Sequence, residues 1–344
     1  MSPALPSSGA QGPSVGGGAF RYRVHAAWEQ LPPDWSFEEV AGVATDSADN
    51  AYVFNRGEHP VIVFDRAGRF LRSWGEGVFT RPHGISIGPD DAVYSVDDVG
   101  HAVRKFTPEG RLLLTLGTPG NASDTGAQGL DYRTIRRSAG PFNCPTNLAI
   151  APGGDLYVAD GYGNARVHRF SPDGKHLDSW GAPGAGPGQF HVPHGIAIDG
   201  EGTVWVADRE NSRLQRFTPE GRFIDQWPAA RPCQLAIDPE GNVFVAELGY
   251  HAGMFPGNAA APGQTTGGRV SIYNPAGELQ TRIGGGDHPC SWGDFFAPHD
   301  ITIDRHGDFY VGEVTLSAGG NQGLVPRDCH SLQKFVRITD QETS

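Results

Sequence analysis

An all-β, six-bladed β-propeller is the fold this sequence predicts, and three observations predict it. The 344-residue chain repeats a unit of about 40 residues, the length of one propeller blade. Each unit carries four short apolar runs between Gly, Pro, Asp and Asn turns, the pattern of a four-stranded antiparallel sheet. Whole phrases also recur, such as Phe-Thr-Pro-Glu-Gly at 106–110 and again at 217–221. A β-sandwich with accidental similarity would not reproduce them, whereas radially repeated blades would.

Six copies begin near Phe37, Phe79, Phe142, Phe190, Ala230 and Phe295, giving blades near 37–77, 79–120, 142–184, 190–229, 230–286 and 295–340. Residues 20–31 (FRYRVHAAWEQL) read as a strand segment that supplies the missing outer strand of the last blade and so fastens the ring. Ahead of this single domain, 20–344, residues 1–19 read as a flexible N-terminal segment. The Gly-, Ala-, Pro- and Asn-rich stretches 118–141 and 249–268 are insertions. Long loops in compact domains often form functional lids or rims.

Composition narrows the function. A net charge of −12 argues against a nucleic-acid surface, which needs a basic stripe. No stretch is long and apolar enough to span a bilayer, and the N-terminus lacks the basic start and apolar core of a secretory signal. A cytoplasmic enzyme or binding protein is the expectation. Cys144, Cys233, Cys290 and Cys329 form no CxxC pair, so they read as reduced thiols.

Three histidines stand in matching phrases, Arg-Pro-His83-Gly-Ile, Val-Pro-His194-Gly-Ile and Ala-Pro-His299-Asp-Ile. The equivalent first-strand positions around the ring are Ala41, His83, Thr146, His194, Cys233 and His299. Histidine therefore occupies alternate blades, about 120° apart around one axis where the innermost strands line a channel. Three imidazoles converging there would bind one ion and leave a coordination position open, as in catalytic zinc sites. Fifteen residues beyond the ring position stand Arg56, Asp98 and Arg209, and sixteen beyond it in the third blade stands Tyr162. Two guanidiniums and a phenol near a metal suggest a carboxylate-bearing substrate and an acid/base residue. Interblade salt bridging, in which Asp208, Glu210 and Arg213 would share, is the alternative reading of these charges.

At these residues the chain resembles the NHL-repeat propellers, and more specifically the peptidyl-α-hydroxyglycine α-amidating lyases. The resemblance covers nearly all of 38–340 and is strongest in VADGYGNARVHRFSPDGK, GQFHVPHGIAID and VADRENSRLQRF. It implies that His83, His194 and His299 bind catalytic zinc, that Tyr162 is the base, and that Arg56 and Arg209 line the active site. It further implies a structural calcium in the channel at Val43, Ile85 and Asp300, oxygen ligands that suit a hard cation. The activity implied is cleavage of the C–N bond of an N-(α-hydroxyalkyl) amide, such as a peptidyl-α-hydroxyglycine, to an amide and an aldehyde such as glyoxylate. Gly163 stands where the animal enzymes have a cysteine paired with one at the position of Cys144, and Val204 and Gln215 lie near the places of the second family disulfide. Neither pairing is expected here. The length leaves no room for a fused copper monooxygenase, so another enzyme is expected to make the hydroxylated substrate. Two further readings stay open: a metal-dependent hydrolase or lactonase on the same scaffold, and a non-enzymatic NHL interaction module.

Overall fold

Each of the first five copies of the repeat forms a four-stranded antiparallel sheet, and the sixth contributes three strands to a larger one, in the computed structural model, which describes residues 11–252 and 260–339. The inner strands are Val40–Thr45, Pro82–Ile87, Pro145–Ile150, Pro193–Ile198, Pro232–Ile237 and Pro298–Ile303. Each packs beside the next, and the sixth returns to the first. The result is a six-bladed β-propeller around a central channel.

Apolar alternation places the core between blades rather than inside them. Tyr52, Phe54, Val61 and Val63 of the first blade meet Ile85, Val93 and Phe106 of the second. Val96, Val103 and Leu116 of the second meet Leu156, Val158 and Phe170 of the third. Each such side chain contributes about 1.5–3 kcal/mol by leaving water. The recurrent Trp and Gly of the repeat also meet across blades. Gly110 has φ of +89°, and a Cβ there would lie 2.6 Å from the Trp74 indole; Gly221, φ +78°, sits likewise against Trp180 of the preceding blade. Glycine supplies both the left-handed turn and the space.

The ring closes through the N-terminus. Phe20–His25 pairs antiparallel with Leu332–Arg337 as an added outer strand of the last blade. Gln11–Gly17 then pairs with Phe20–His25 as a fifth strand, where the sequence predicts a flexible segment. The free edge of Phe20–His25 offers unpaired N–H and C=O groups, which a neighbouring segment satisfies whatever its propensity. Residues 1–10 of that predicted segment, and 253–259 of the predicted insertion at 249–268, lie outside the described residues.

The thiols differ from expectation. Cys290 and Cys329 form a disulfide with Cα atoms 5.1 Å apart, while Cys144 and Cys233 are free and buried. The bridge joins the loop entering the last blade to an insertion within it, residues 314–331, which contains a short helix, Thr315–Ala318, and a 3₁₀ turn, Gly320–Gln322. Among the described residues, no helix is long and apolar enough to cross a membrane.

Candidate metal centre and active site

The histidines owe their position to an irregularity repeated in every inner strand. Five of the six begin at a proline and the first at Val40, and pairing with the second strand skips the following residue: Pro193 faces Asp208 and Gly195 faces Ala207, leaving His194 without a partner. The same skip occurs at His299 and, with a longer gap, at His83. A bulged residue is turned out of the ladder, and here it turns toward the channel axis. The three rings form an equilateral triangle with centroids 4.7 Å apart on every side. All three are buried.

Backbone carbonyls fix the tautomers. Nδ1 of His83 lies 2.6 Å from the Thr146 carbonyl, Nδ1 of His194 2.8 Å from that of Cys233, and Nδ1 of His299 2.7 Å from that of Ala41. Each acceptor is the ring-position residue of the next blade. A carbonyl only accepts, so Nδ1 carries the proton and Nε2 keeps its lone pair. Burial, reinforced by neighbouring imidazoles and by Arg56 and Arg209, pushes the histidines well below their ordinary range and keeps them neutral.

Tyr162 Oη lies 3.2 Å from His83 Nε2 and 3.0 Å from His194 Nε2. One phenol hydrogen cannot satisfy both acceptors, still less a third imidazole. Inward lone pairs in excess of donors are the condition a cation relieves. The side chains of His83, His194 and His299 are grouped closely enough to hold one ion, and a neutral three-nitrogen donor set suits zinc.

Above the histidines lies a second ring. In four blades the amide fifteen residues beyond the ring position donates to the carbonyl two residues before it: Arg56 to Glu39, Arg209 to Val192, Leu248 to Arg231 and Val314 to Ala297, at 3.0–3.1 Å. Of these residues, Arg56, Arg209, Arg231, Leu248 and Val314 line a cavity of about 260 Å³ that reaches Tyr162 and His299. Arg209 Nη1 donates to Tyr162 Oη at 3.2 Å and its Nε to Glu210 at 2.8 Å. Arg56 is engaged, donating through Nη1 to Glu39 at 2.6 Å and through Nε to the Pro82 carbonyl at 3.0 Å. Asp98 holds Arg81, whose guanidinium lies 5.7 Å from the centre of the Tyr162 ring. Arg231 shares Glu210 with Arg209, linking the fourth blade to the fifth, whereas Arg213 pairs with Asp208 inside its own blade.

Insertions finish the cavity. Leu130, from the loop at 118–141, lines it and packs with Tyr162. Val314, Ser317 and Ala318 line the other side, and the Ser317 amide is held by Glu39 at 2.8 Å. Arg81, Arg231, Glu39 and the 314–331 insertion are absent from the sequence-based site. Counting back two residues from the ring position, instead of only forward fifteen, would have found Glu39, Arg81 and Arg231.

Val43, Ile85 and Asp300 face the opposite end of the channel, in a cavity of about 520 Å³. The Asp300 carboxylate accepts from the Val43 amide at 3.1 Å and the Ile301 amide at 2.9 Å. Burial pushes its pKa well above the usual carboxylate range, against the opposing effect of those two amides.

With this geometry in view, comparison places the chain among known proteins. The NHL repeat family profile matches residues 142–170 and 190–217. NHL repeat-containing protein 3 of Homo sapiens is 34% identical over 202 residues, 55% of this chain and 54% of that protein. The peptidyl-glycine alpha-amidating monooxygenase of Mus musculus is 33% identical over 207 residues, 50% of this chain and 20% of that protein. Peptidyl-alpha-hydroxyglycine alpha-amidating lyase 2 of Drosophila melanogaster is 27% identical over 310 residues, 81% of this chain and 69% of that protein. The matches thus span about half, or less, of the first two relatives' own length. Among solved structures, a gluconolactonase from Xanthomonas campestris superposes with TM-score 0.61 at 13% identity, covering 97% of this chain and 99% of that one. A streptogramin B lyase does so with TM-score 0.54 at 14% identity, covering 91% and 87%. At such identities these structures speak to the fold alone. The chain carries NHL repeats, and its relatives include amidating lyases.

Proposed function

We propose that this protein is a metal-dependent carbon–nitrogen lyase that splits an N-acyl-α-hydroxyglycine, or a related carboxylate-bearing α-hydroxy amide, into an amide and glyoxylate. The observation that carries the reading is Tyr162 Oη, within hydrogen-bond distance of two inward imidazole nitrogens and of the Arg209 guanidinium. Proton acceptor, metal ligands and positive charge converge on one atom. The lyase-named relatives support the same class of chemistry.

His83, His194 and His299 would hold the ion, zinc by the chemistry of the donor set. Bound there, it would supply Lewis acidity to the substrate hydroxyl. Tyr162, as its phenolate, takes the hydroxyl proton, the C–O bond becomes a carbonyl, and the C–N electron pair leaves with nitrogen, to which Tyr162 passes that proton to give the amide. Arg209 stabilises negative charge on the phenol oxygen. Arg56, steadied by Glu39, is the partner for the substrate carboxylate. Leu130 and the 314–331 insertion keep water from the reacting atoms.

At the other end, Asp300 is a buried carboxylate whose shift owes nothing to a cationic side chain, and a calcium ion held with Val43 and Ile85 would relieve it. The Cys290–Cys329 bridge favours a working compartment that is not reducing. The test is incubation of zinc-loaded protein with α-hydroxyhippurate, and in parallel with a panel of lactones and esters. Equal amounts of benzamide and glyoxylate are expected. Turnover confined to the lactones would replace this reading with the hydrolase.

A further inference from the structure

In the second blade the paired positions at the cavity mouth hold Arg81 and Asp98. Arg81 Nε spans both Asp98 oxygens at 2.8 and 3.0 Å, and Nη2 also reaches that carboxylate. Asp98 is fully buried, while the Arg81 side chain stays 30% exposed and lines the cavity. The fold does not require a cation at this point. In the other two histidine blades the same position holds Val192 and Ala297, both apolar and fully buried.

Charge makes the same point. Four guanidiniums border the cavity, Arg56, Arg81, Arg209 and Arg231, and three carboxylates pair with them, Glu39, Asp98 and Glu210. Four less three leaves one positive charge from the side chains, to which a divalent ion on the three neutral histidines would add two, more than a single substrate carboxylate offsets. A glycine-type carboxylate matched by Arg56 leaves Arg81 without a role in the lyase chemistry. Asp98 occupies Nε and Nη2, while Nη1 has no hydrogen bond among the described residues.

Resting on the lyase reading, we propose that Arg81 is a specificity-determining residue that recognises a second anionic group, on the acyl side of the substrate. The preferred substrates are then small N-acyl-α-hydroxyglycines whose acyl chain ends in a carboxylate a few atoms from the amide. Asp98 holds the guanidinium plane, and Nη1 donates to the incoming anion.

Calorimetric binding of N-succinylglycine and N-butyrylglycine to the zinc-loaded protein tests this. The two differ in a terminal carboxylate against a methyl group, and neither carries the hydroxyl that cleavage needs. The wild type should favour the succinyl compound by about ten- to a hundredfold, the range of a charge-assisted contact. Arg81→Leu should bring the ratio to within about twofold of unity. Should the orphaned Asp98 unfold that variant, Arg81→Leu with Asp98→Asn removes both charges and should give the same ratio. A wild type without preference, or a ratio that survives the substitution because both ligands weaken together, overturns the proposal. Glyoxylate released from α-hydroxyhippurate alongside either result leaves the lyase reading standing and removes only the role of Arg81. No glyoxylate from any hydroxylated N-acylglycine removes both.

Discussion

The two ends of the channel are built from the same six strands, yet one obeys the repeat and the other departs from it. Two residues beyond the ring position stand Val43, Ile85, Leu148, Ile196, Leu235 and Ile301, an aliphatic residue in every blade, and they line the lower cavity. At the upper mouth the equivalent positions alternate His with Ala, Thr and Cys, and the surrounding positions mix arginine, carboxylate and apolar residues. Insertions are added only to some blades. Where the blades agree they build the ring; where they differ they build a site. Asp300 is the exception at the lower end, a carboxylate where other blades place Gly42, Gly84, Asn147, Gly195 and Gln234.

Substitutions at the two ends should therefore separate chemistry from stability. The largest effect is expected for His194→Ala, which removes one of three ligands and with them the bound metal. Turnover should fall by about a thousandfold or more, while the melting temperature of the metal-free protein stays within a few degrees. Metal content and glyoxylate release measure the two halves of that statement, and full activity in the variant would move the centre elsewhere. Tyr162→Phe takes away a single oxygen. It should keep stoichiometric metal and lose about a hundredfold or more in kcat, the usual weight of a positioned acid/base group; unchanged kcat would remove Tyr162 as the base.

At the lower end the balance reverses. Calcium should raise the wild-type melting temperature by a few degrees, as a ligand present well above its Kd does. Asp300→Asn should abolish that rise and change kcat/KM by no more than about threefold. A calcium response that survives the substitution would place the ion elsewhere. The smallest effect on catalysis is expected at the rim, for Cys329→Ser. Opening the covalent loop should cost about 2 kcal/mol or more in denaturant unfolding and leave kcat within about twofold. A collapse of kcat would instead make the bridge part of the catalytic architecture.

The contrast also explains what could be read from sequence. Blade number and the histidine triangle were legible because repetition supplies geometry: 111 and 105 residues between the histidines each become two blades. Arg81 and Arg231 were harder to see: a constant offset of two residues before the ring position marks the place, but only the irregular pairing of the inner strands shows that side chains there reach the mouth. Glu39 shows the same difficulty, becoming meaningful only when it faces Arg56. Cys290 and Cys329 lie 39 residues apart without motif spacing; tertiary packing of the last blade's insertion brings them together. The strand at Gln11–Gly17 has a loop-like composition and depends on the edge it joins.

The three imidazoles are the central claim, and diffraction from zinc-loaded crystals at the zinc absorption edge tests it most directly. A single anomalous peak on the channel axis, bonded to Nε2 of His83, His194 and His299 beneath Tyr162, is the predicted result. A fully loaded protein whose peak lies away from that triangle would contradict it.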